Sequence, residues 1–308
     1  MGDGAGRPRL RGTEGVTAPI PFTVIGGFLG AGKTTLVNRL LAGVAGRKFA
    51  VLVNDFGALD IDGELIAKHG GSTIALSNGC LCCTIGDSLV ATLLALFERS
   101  DEFDHIVVEA SGVADPGRIA DLATLEARLH RDGVIVVVDA DDVQRRAVDR
   151  RVGDTVLRQL KAADLLVLNK IDLADDPSVV RTWLGGQSTA PVLEARHADV
   201  PLALLVGLDH RGVSQGDGNP KPPFRSWSYS WPDPVDRSAL LAMLNEAPSH
   251  VLRAKGVVRF ADSLDRRSIV HMVGRRVDIS EGGSWPGDAE SRLVLIGTSA
   301  MLHSFERE

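Results

Sequence analysis

The chain has 308 residues, which at about 150 residues per domain suggests roughly two domains, with cores large enough to need no disulfide or metal staple. Hydrophobic residues make up 44% and charged residues 24%, an ordinary soluble composition, and a net charge of -6 argues against a wide nucleic-acid footprint. No apolar run of about 20 residues is present, so no membrane span is expected.

Residues 1–19 are rich in Gly, Arg and Thr, the composition of a disordered lead-in. Arg7, Arg9 and Arg11 have no apolar stretch behind them, so no secretory signal is expected and the expected location is the cytoplasm. From residue 20 to 208, short Val/Ile/Leu-rich runs alternate with segments of helix length, the signature of one α/β domain.

The first run, 22–25, leads into Gly27-Phe28-Leu29-Gly30-Ala31-Gly32-Lys33-Thr34, which fits G-x-x-x-x-G-K-[ST] and opens a helical stretch over 33–41. Gly27, Gly30, Ala31 and Gly32 are candidates to turn their backbone N–H groups onto phosphate oxygens, since glycine allows positive φ. Lys33 is expected to neutralise the β and γ oxygens and Thr34 to ligate Mg²⁺, with Thr35 completing the run. This is a nucleoside triphosphate site.

After the second run, 49–53, comes Asn54-Asp55-Phe56-Gly57-Ala58-Leu59-Asp60-Ile61-Asp62. It is acidic and occupies the position of a switch loop ordered by γ-phosphate and Mg²⁺; the alternative is a solvated acidic loop. A run at 73–76 precedes Asn78-Gly79-Cys80-Leu81-Cys82-Cys83-Thr84, which holds all three cysteines of the chain. Clustered thiols in a reducing compartment read as metal ligands before a disulfide framework. Thiolates favour Zn²⁺ and Cu(I), and Zn²⁺ takes four ligands, so three cysteines within four residues make an open or transient site. Asp55, water, His69 or a client protein are the candidates for the fourth ligand. Redox chemistry and simple packing of the thiols are the competing readings. The eight histidines are scattered without ligand spacing.

A helical stretch at 88–98 leads to the run 106–108, which ends in Glu109-Ala110-Ser111-Gly112. Glu109 is placed to hold Mg²⁺ through water or to orient the attacking water, and Gly112 to bring its N–H near the γ-phosphate. Asp139 follows the run 134–138 in the same geometry, with structural and functional roles both open. After a helical stretch at 153–161, the run 165–168 ends in Asn169-Lys170-Ile171-Asp172. An Asp172 carboxylate accepts both the N1–H and the N2 amino group of guanine, whereas adenine has no donor at N1. Asn169 is expected to serve the acceptor edge of the base and the Lys170 stem to cover its face. Runs without polar alternation mark strands covered on both faces, so the fold class is a P-loop NTPase with a doubly wound, mostly parallel sheet and its ligand at the carboxyl ends.

Residues 209–223 have linker composition, and 224–308 read as a smaller C-terminal α+β domain. There Trp227, Tyr229 and Trp231 alternate with serines, a strand whose aromatic face is expected in a core. A helix at 235–245 and runs at 251–260, 269–273 and 293–296 complete it.

Together these residues resemble the CobW-like family of P-loop GTPases, whose members are linked to metal delivery and cobalamin metabolism. The resemblance runs from about Pro21 to the C-terminus through residues 27–35, Asn54-Asp55-Phe56-Gly57, residues 79–83, Glu109–Gly112 and Asn169–Asp172. Leu252-Arg253-Ala254-Lys255-Gly256 and Arg292-Leu293-Val294-Leu295-Ile296-Gly297 look like the family's accessory domain. The resemblance implies GTP hydrolysis to GDP with Mg²⁺, coupled to Zn²⁺ or another transition metal held by Cys80, Cys82 and Cys83 beside the switch. Two departures stand out. Where the family commonly reads N-E-F-G-E, this chain has Asp55 and Ala58, so one carboxylate is kept and one lost. Its linker holds only His210 where many relatives carry a His-rich tract, which argues against metal storage.

The expected function is therefore a cytoplasmic GTPase that loads or transfers a metal, Zn²⁺ first, to a client metalloprotein, acting as a monomer or homodimer without nucleic acid or membrane. Lys33 and Glu109 are the expected catalytic groups. The alternatives are a nucleotide-dependent metal-binding regulator with little turnover, or a cobalt or iron insertase for one enzyme.

Overall fold

The computed structural model describes residues 19–43, 48–53, 73–77, 87–206, 224–248, 250–285 and 289–298. Asp55 and the acidic loop, His69, Cys80, Cys82, Cys83, most of the lead-in and the 209–223 linker lie outside the described residues.

Strands β1 (Ile20–Gly26), β2 (Phe49–Val53), β3 (Thr73–Ser77), β4 (His105–Glu109), β5 (Leu129–Asp139), β6 (Leu165–Asn169) and β7 (Val192–Glu194) form one sheet in the order β3-β2-β4-β1-β5-β6-β7. Every pair is parallel. Helices α1 (Lys33–Gly43), α2 (Asp87–Phe97), α3 (Pro116–Leu125), α4 (Val143–Ala147), α5 (Gly153–Ala162), α6 (Pro177–Gly185) and α7 (Leu202–Val206) connect the strands. Alternate residues of β1 feed two cores. Phe22 and Val24 pack with Leu93 of α2, Ile119 of α3 and Leu160 of α5. Ile25, on the opposite face, packs with Leu36 and Leu40 of α1 and with Leu204 of α7. Helices on both faces leave the carboxyl edge as the place where a ligand meets the sheet. Two helices start on an aspartate cap followed by proline: Asp115 accepts from Gly117 N ahead of Pro116, and Asp176 from Ser178 N ahead of Pro177.

The second sheet is antiparallel. It comprises β8 (Phe224–Trp231), β9 (Val251–Val258), β10 (Arg266–Val273), β11 (Arg276–Ser284) and β12 (Ser291–Thr298), in the order β11-β10-β9-β12-β8, with helix α8 (Arg237–Asn245). Trp227, Tyr229 and Trp231 pack against its core of Leu244, Phe260, Val270 and Leu295. Helix α8 starts at Arg237, two residues later than expected, because Asp236 caps it by accepting from Ala239 N and Val235 instead bridges Phe260.

Strand β5 begins at Leu129, well ahead of the apolar run that marks it in sequence. The polar residues His130 and Asp132 in that extension are buried, because the second sheet covers them. Leu252, Val273 and Ile296 of the second sheet join the α1-side core. At the centre of the contact Arg253 Nη2 meets Asp132 Oδ1 at 2.6 Å, and Arg253 Nη1 donates to the carbonyl of Leu204 at 2.9 Å. Thr23 Oγ1 donates to Asp132 Oδ2 at 3.1 Å. Burial, the largest single influence, would raise the Asp132 carboxyl, but Arg253 together with His105, Lys255 and His271 outweighs it and holds the group well below the usual carboxylate range. Burial, reinforced by His130, pushes His271 down to about 3, so its 3.9 Å approach to Asp132 is not an ion pair at neutral pH. No helix among the described residues is long and apolar enough to cross a membrane.

Candidate functional site

Strand β1 delivers the glycine loop to the carboxyl edge beside β4 and β5. Gly27, Gly30 and Gly32 all have positive φ, at 133°, 79° and 106°. Two of them are also confined: a Cβ on Gly27 would lie 2.2 Å from the Val137 carbonyl oxygen, and one on Gly32 would lie 2.5 Å from Asn169 Nδ2. A Cβ on Gly30 would meet nothing within 4 Å, so the loop is open there. Ala31 is buried, and its N–H donates to the Phe28 carbonyl at 3.2 Å. Lys33, also buried, opens α1 and reaches back to the Phe28 carbonyl at 3.4 Å. Leu36 N bonds to Gly32 O, so the helix axis begins at the loop and its N-terminal partial charge lies there. Thr35 is exposed on the first turn.

Glu109 ends β4 level with Ile25 of β1 and Val53 of β2. Its Oε1 accepts from Thr34 Oγ1 at 2.7 Å, so the two residues expected at the metal end are in direct contact across 75 positions of sequence. A tight turn follows, closed by Ala114 N to Ser111 O at 3.0 Å. Gly112 in that turn abuts the loop closely enough that a Cβ would lie 2.8 Å from Leu29 N.

The base end is built by β6 and by a loop that sequence reading did not single out. Asn169 is buried, and its Nδ2 donates to Ala31 O at 2.9 Å while its Oδ1 accepts from Ala198 N at 2.7 Å. The side chain expected on the base therefore braces the phosphate loop against the segment after β7. Lys170 has φ 59°, and its Nζ pairs with Asp139 Oδ2 at 2.7 Å, which gives Asp139 a positioning role. Leu173 N bonds to Lys170 O, placing Asp172 inside a turn, where it is exposed. After β7, His197 and Ala198 both have positive φ, 51° and 56°, and Arg39 of α1 holds the loop through His197 O at 2.7 Å and Asp199 at 3.0 Å. A three-residue strand followed by Ala195-Arg196-His197-Ala198 carries no glycine, so its left-handed turn left no trace in the sequence.

The strand ends thus align a charged helix terminus, a hydroxyl–carboxylate pair and an exposed carboxylate along one edge of the sheet. That arrangement suits an anionic phosphate chain at one end and a ring with adjacent donors at the other. The segments that carry Asp55 and the three cysteines leave the described structure at Val53 and Ser77, register partners at this same edge.

A family model described as CobW/HypB/UreG, nucleotide-binding domain, matches residues 21–188, and one described as the cobalamin synthesis protein cobW C-terminal domain matches residues 224–307. The zinc chaperone CobW of Sinorhizobium sp is 33% identical, with 92% of this chain and 94% of that protein covered. The zinc chaperone YjiA of Escherichia coli K12 is 31% identical, covering 91% of this chain and 94% of that protein. The zinc-regulated GTPase metalloprotein activator 1 of Schizosaccharomyces pombe is 37% identical over 63% of this chain and 50% of its own length.

Proposed function

The chain belongs to the CobW/HypB/UreG family of P-loop GTPases, and from that premise we propose that it is a GTP-hydrolysing metallochaperone, carrying Zn²⁺ at its C-x-C-C cluster to a client metalloprotein in the cytoplasm. The observation that carries the reading is the 2.7 Å contact of Thr34 with Glu109 beside the open Gly30. A hydroxyl and a carboxylate oxygen are hard donors of the kind Mg²⁺ takes, so the pair fits that ion. When bound, Mg²⁺ supplies neutralisation of charge on the β- and γ-phosphates.

The chain's own residues supply the rest. The loop 27–32, the α1 N-terminus and Lys33 bind the triphosphate, and Glu109 orients the attacking water near the γ-phosphate. Gly112 offers its N–H on the same side. Asp172 accepts the two neighbouring donors of guanine, while Asn169 and Lys170 keep the base loop in register. Adenine has no N1–H to offer that carboxylate and forgoes the bidentate pair.

Zn²⁺ is the cargo. Cys80, Cys82 and Cys83 bind it, with Asp55 joining when the triphosphate orders the switch; hydrolysis to GDP releases that order and with it the metal. Steady-state GTP turnover of the purified chain, with and without Zn²⁺, tests the coupling. The expected result is a change of turnover on adding Zn²⁺ that disappears in Cys82→Ala. Turnover indifferent to both would refute it.

A further inference from the structure

We infer that Gln159, on helix α5, is a positioning residue for hydrolysis that holds the turn after Glu109 against the phosphate loop. The inference rests on the GTPase reading above.

Helix α5 turns Val156 and Leu160 into the core, and Gln159 lies on that same face with 2% of its surface exposed. A leucine there would continue the apolar stripe, and a buried amide is unfavourable unless its hydrogen bonds are made. Its two N–H donors are both spent on one target. Gln159 Nε2 donates to Gly112 O at 3.0 Å and to Ala114 O at 2.8 Å. Both partners are carbonyl oxygens, so the atom facing them is the NH₂ nitrogen whichever way the amide is first drawn.

The turn is therefore gripped from two sides. Leu29 of the phosphate loop presses on Gly112, where a Cβ would lie 2.5 Å from Leu29 Cδ2. Gln159 holds the opposite side through the two carbonyls. All described peptide bonds are trans, and in a trans peptide the C=O and the following N–H point in opposite directions. Turning Gly112 O and Ala114 O toward α5 thus turns the N–H groups of Val113 and Asp115 away from it. As a positioning residue Gln159 fixes the Val113 and Asp115 N–H groups directly, and through the turn they belong to, it holds the place of Gly112 between Glu109 and α3. A cleft lined by Phe28, Val138, Val143, Val156 and Leu160, with Asp139 and Arg146 on its wall, flanks its side chain.

The test uses the full chain. Gln159→Met keeps the shape and removes both donors; Gln159→Asn keeps the amide and shortens its reach. Single-turnover hydrolysis of GTP and the affinity for GDP are measured for each, with folding monitored by circular dichroism. The expected result is a rate about tenfold lower for Gln159→Met, an intermediate rate for Gln159→Asn, and GDP affinity within about twofold of wild type. Gln159→Glu faces two carbonyls with an acceptor, and its rate should recover in part as acid restores one O–H donor. A Gln159→Met rate within about twofold of wild type overturns the inference. So does a rate loss matched by an equal loss of GDP affinity, the mark of a merely structural residue. If the wild-type chain itself fails to turn over GTP, the GTPase reading falls as well, which separates the two failures.

Discussion

Replacing Arg253 with methionine removes the buried guanidinium that lies 2.6 Å from Asp132, whose side chain is 0% exposed. The carboxylate is left with the Thr23 hydroxyl as a donor at 3.1 Å and with the imidazoles of His105 and His271 at 3.7 and 3.9 Å. Removing one partner of such a pair costs about 3–5 kcal/mol, and the Leu204 carbonyl loses a further bond worth about 1 kcal/mol. Against a total stability of about 5–15 kcal/mol, that loss is enough to detach the second sheet well before the nucleotide domain unfolds. Urea denaturation followed by tryptophan fluorescence is the assay, since Trp227 and Trp231 lie in the second sheet. Arg253→Met with Asp132→Leu removes both charges together and should recover about 2–4 kcal/mol relative to the sum of the single variants. Single variants that each cost under about 1 kcal/mol and simply add would show that the buried pair does not hold the domains together.

Asp172→Asn should weaken GTP binding at least about tenfold, about 1.4 kcal/mol, as read by fluorescent-nucleotide displacement; unchanged affinity removes the guanine assignment. Gly32→Ala places a methyl 2.5 Å from Asn169 Nδ2 at φ 106°, so nucleotide binding should be lost while the circular dichroism spectrum is kept. Stability should also fall on acidification. His271 is held neutral in the fold at about 3 but titrates near 6.5 when unfolded, so the unfolded chain binds the extra proton. Its contribution is complete above about 6.5 and is lost as pH falls through about 3, with Asp132 adding a loss below its unfolded value of 3.8. A denaturation midpoint that is flat from pH 7 to about 4 would contradict this.

Features that chemistry concentrates in a few adjacent residues were legible in the sequence. The glycine loop, the strand-terminal Glu109 and the Asn169–Asp172 turn each announce themselves by residue type and by the apolar run before them. Contacts made at a distance were not. Asp132 and Arg253 are 121 positions apart, and a polar residue ahead of an apolar run reads as loop until a second sheet covers it. Gln159 looks like an ordinary polar position on an amphipathic helix, because nothing local shows that Gly112 and Ala114 turn their carbonyls toward it. The motif alone points Asn169 at the base; its place as a brace depends on Ala198, in a left-handed turn without glycine. Strand β11, polar on much of its length, is defined by pairing with β10 rather than by its own pattern.

The dissociation constant of Zn²⁺, measured by competition with a chromophoric chelator on the chain loaded first with a non-hydrolysable GTP analogue and then with GDP, bears most directly on the coupling of nucleotide to metal. Tighter binding in the triphosphate state, by about tenfold or more, is the expected result. Equal constants in the two states would contradict it and leave the thiol cluster and the nucleotide site as independent features of one chain.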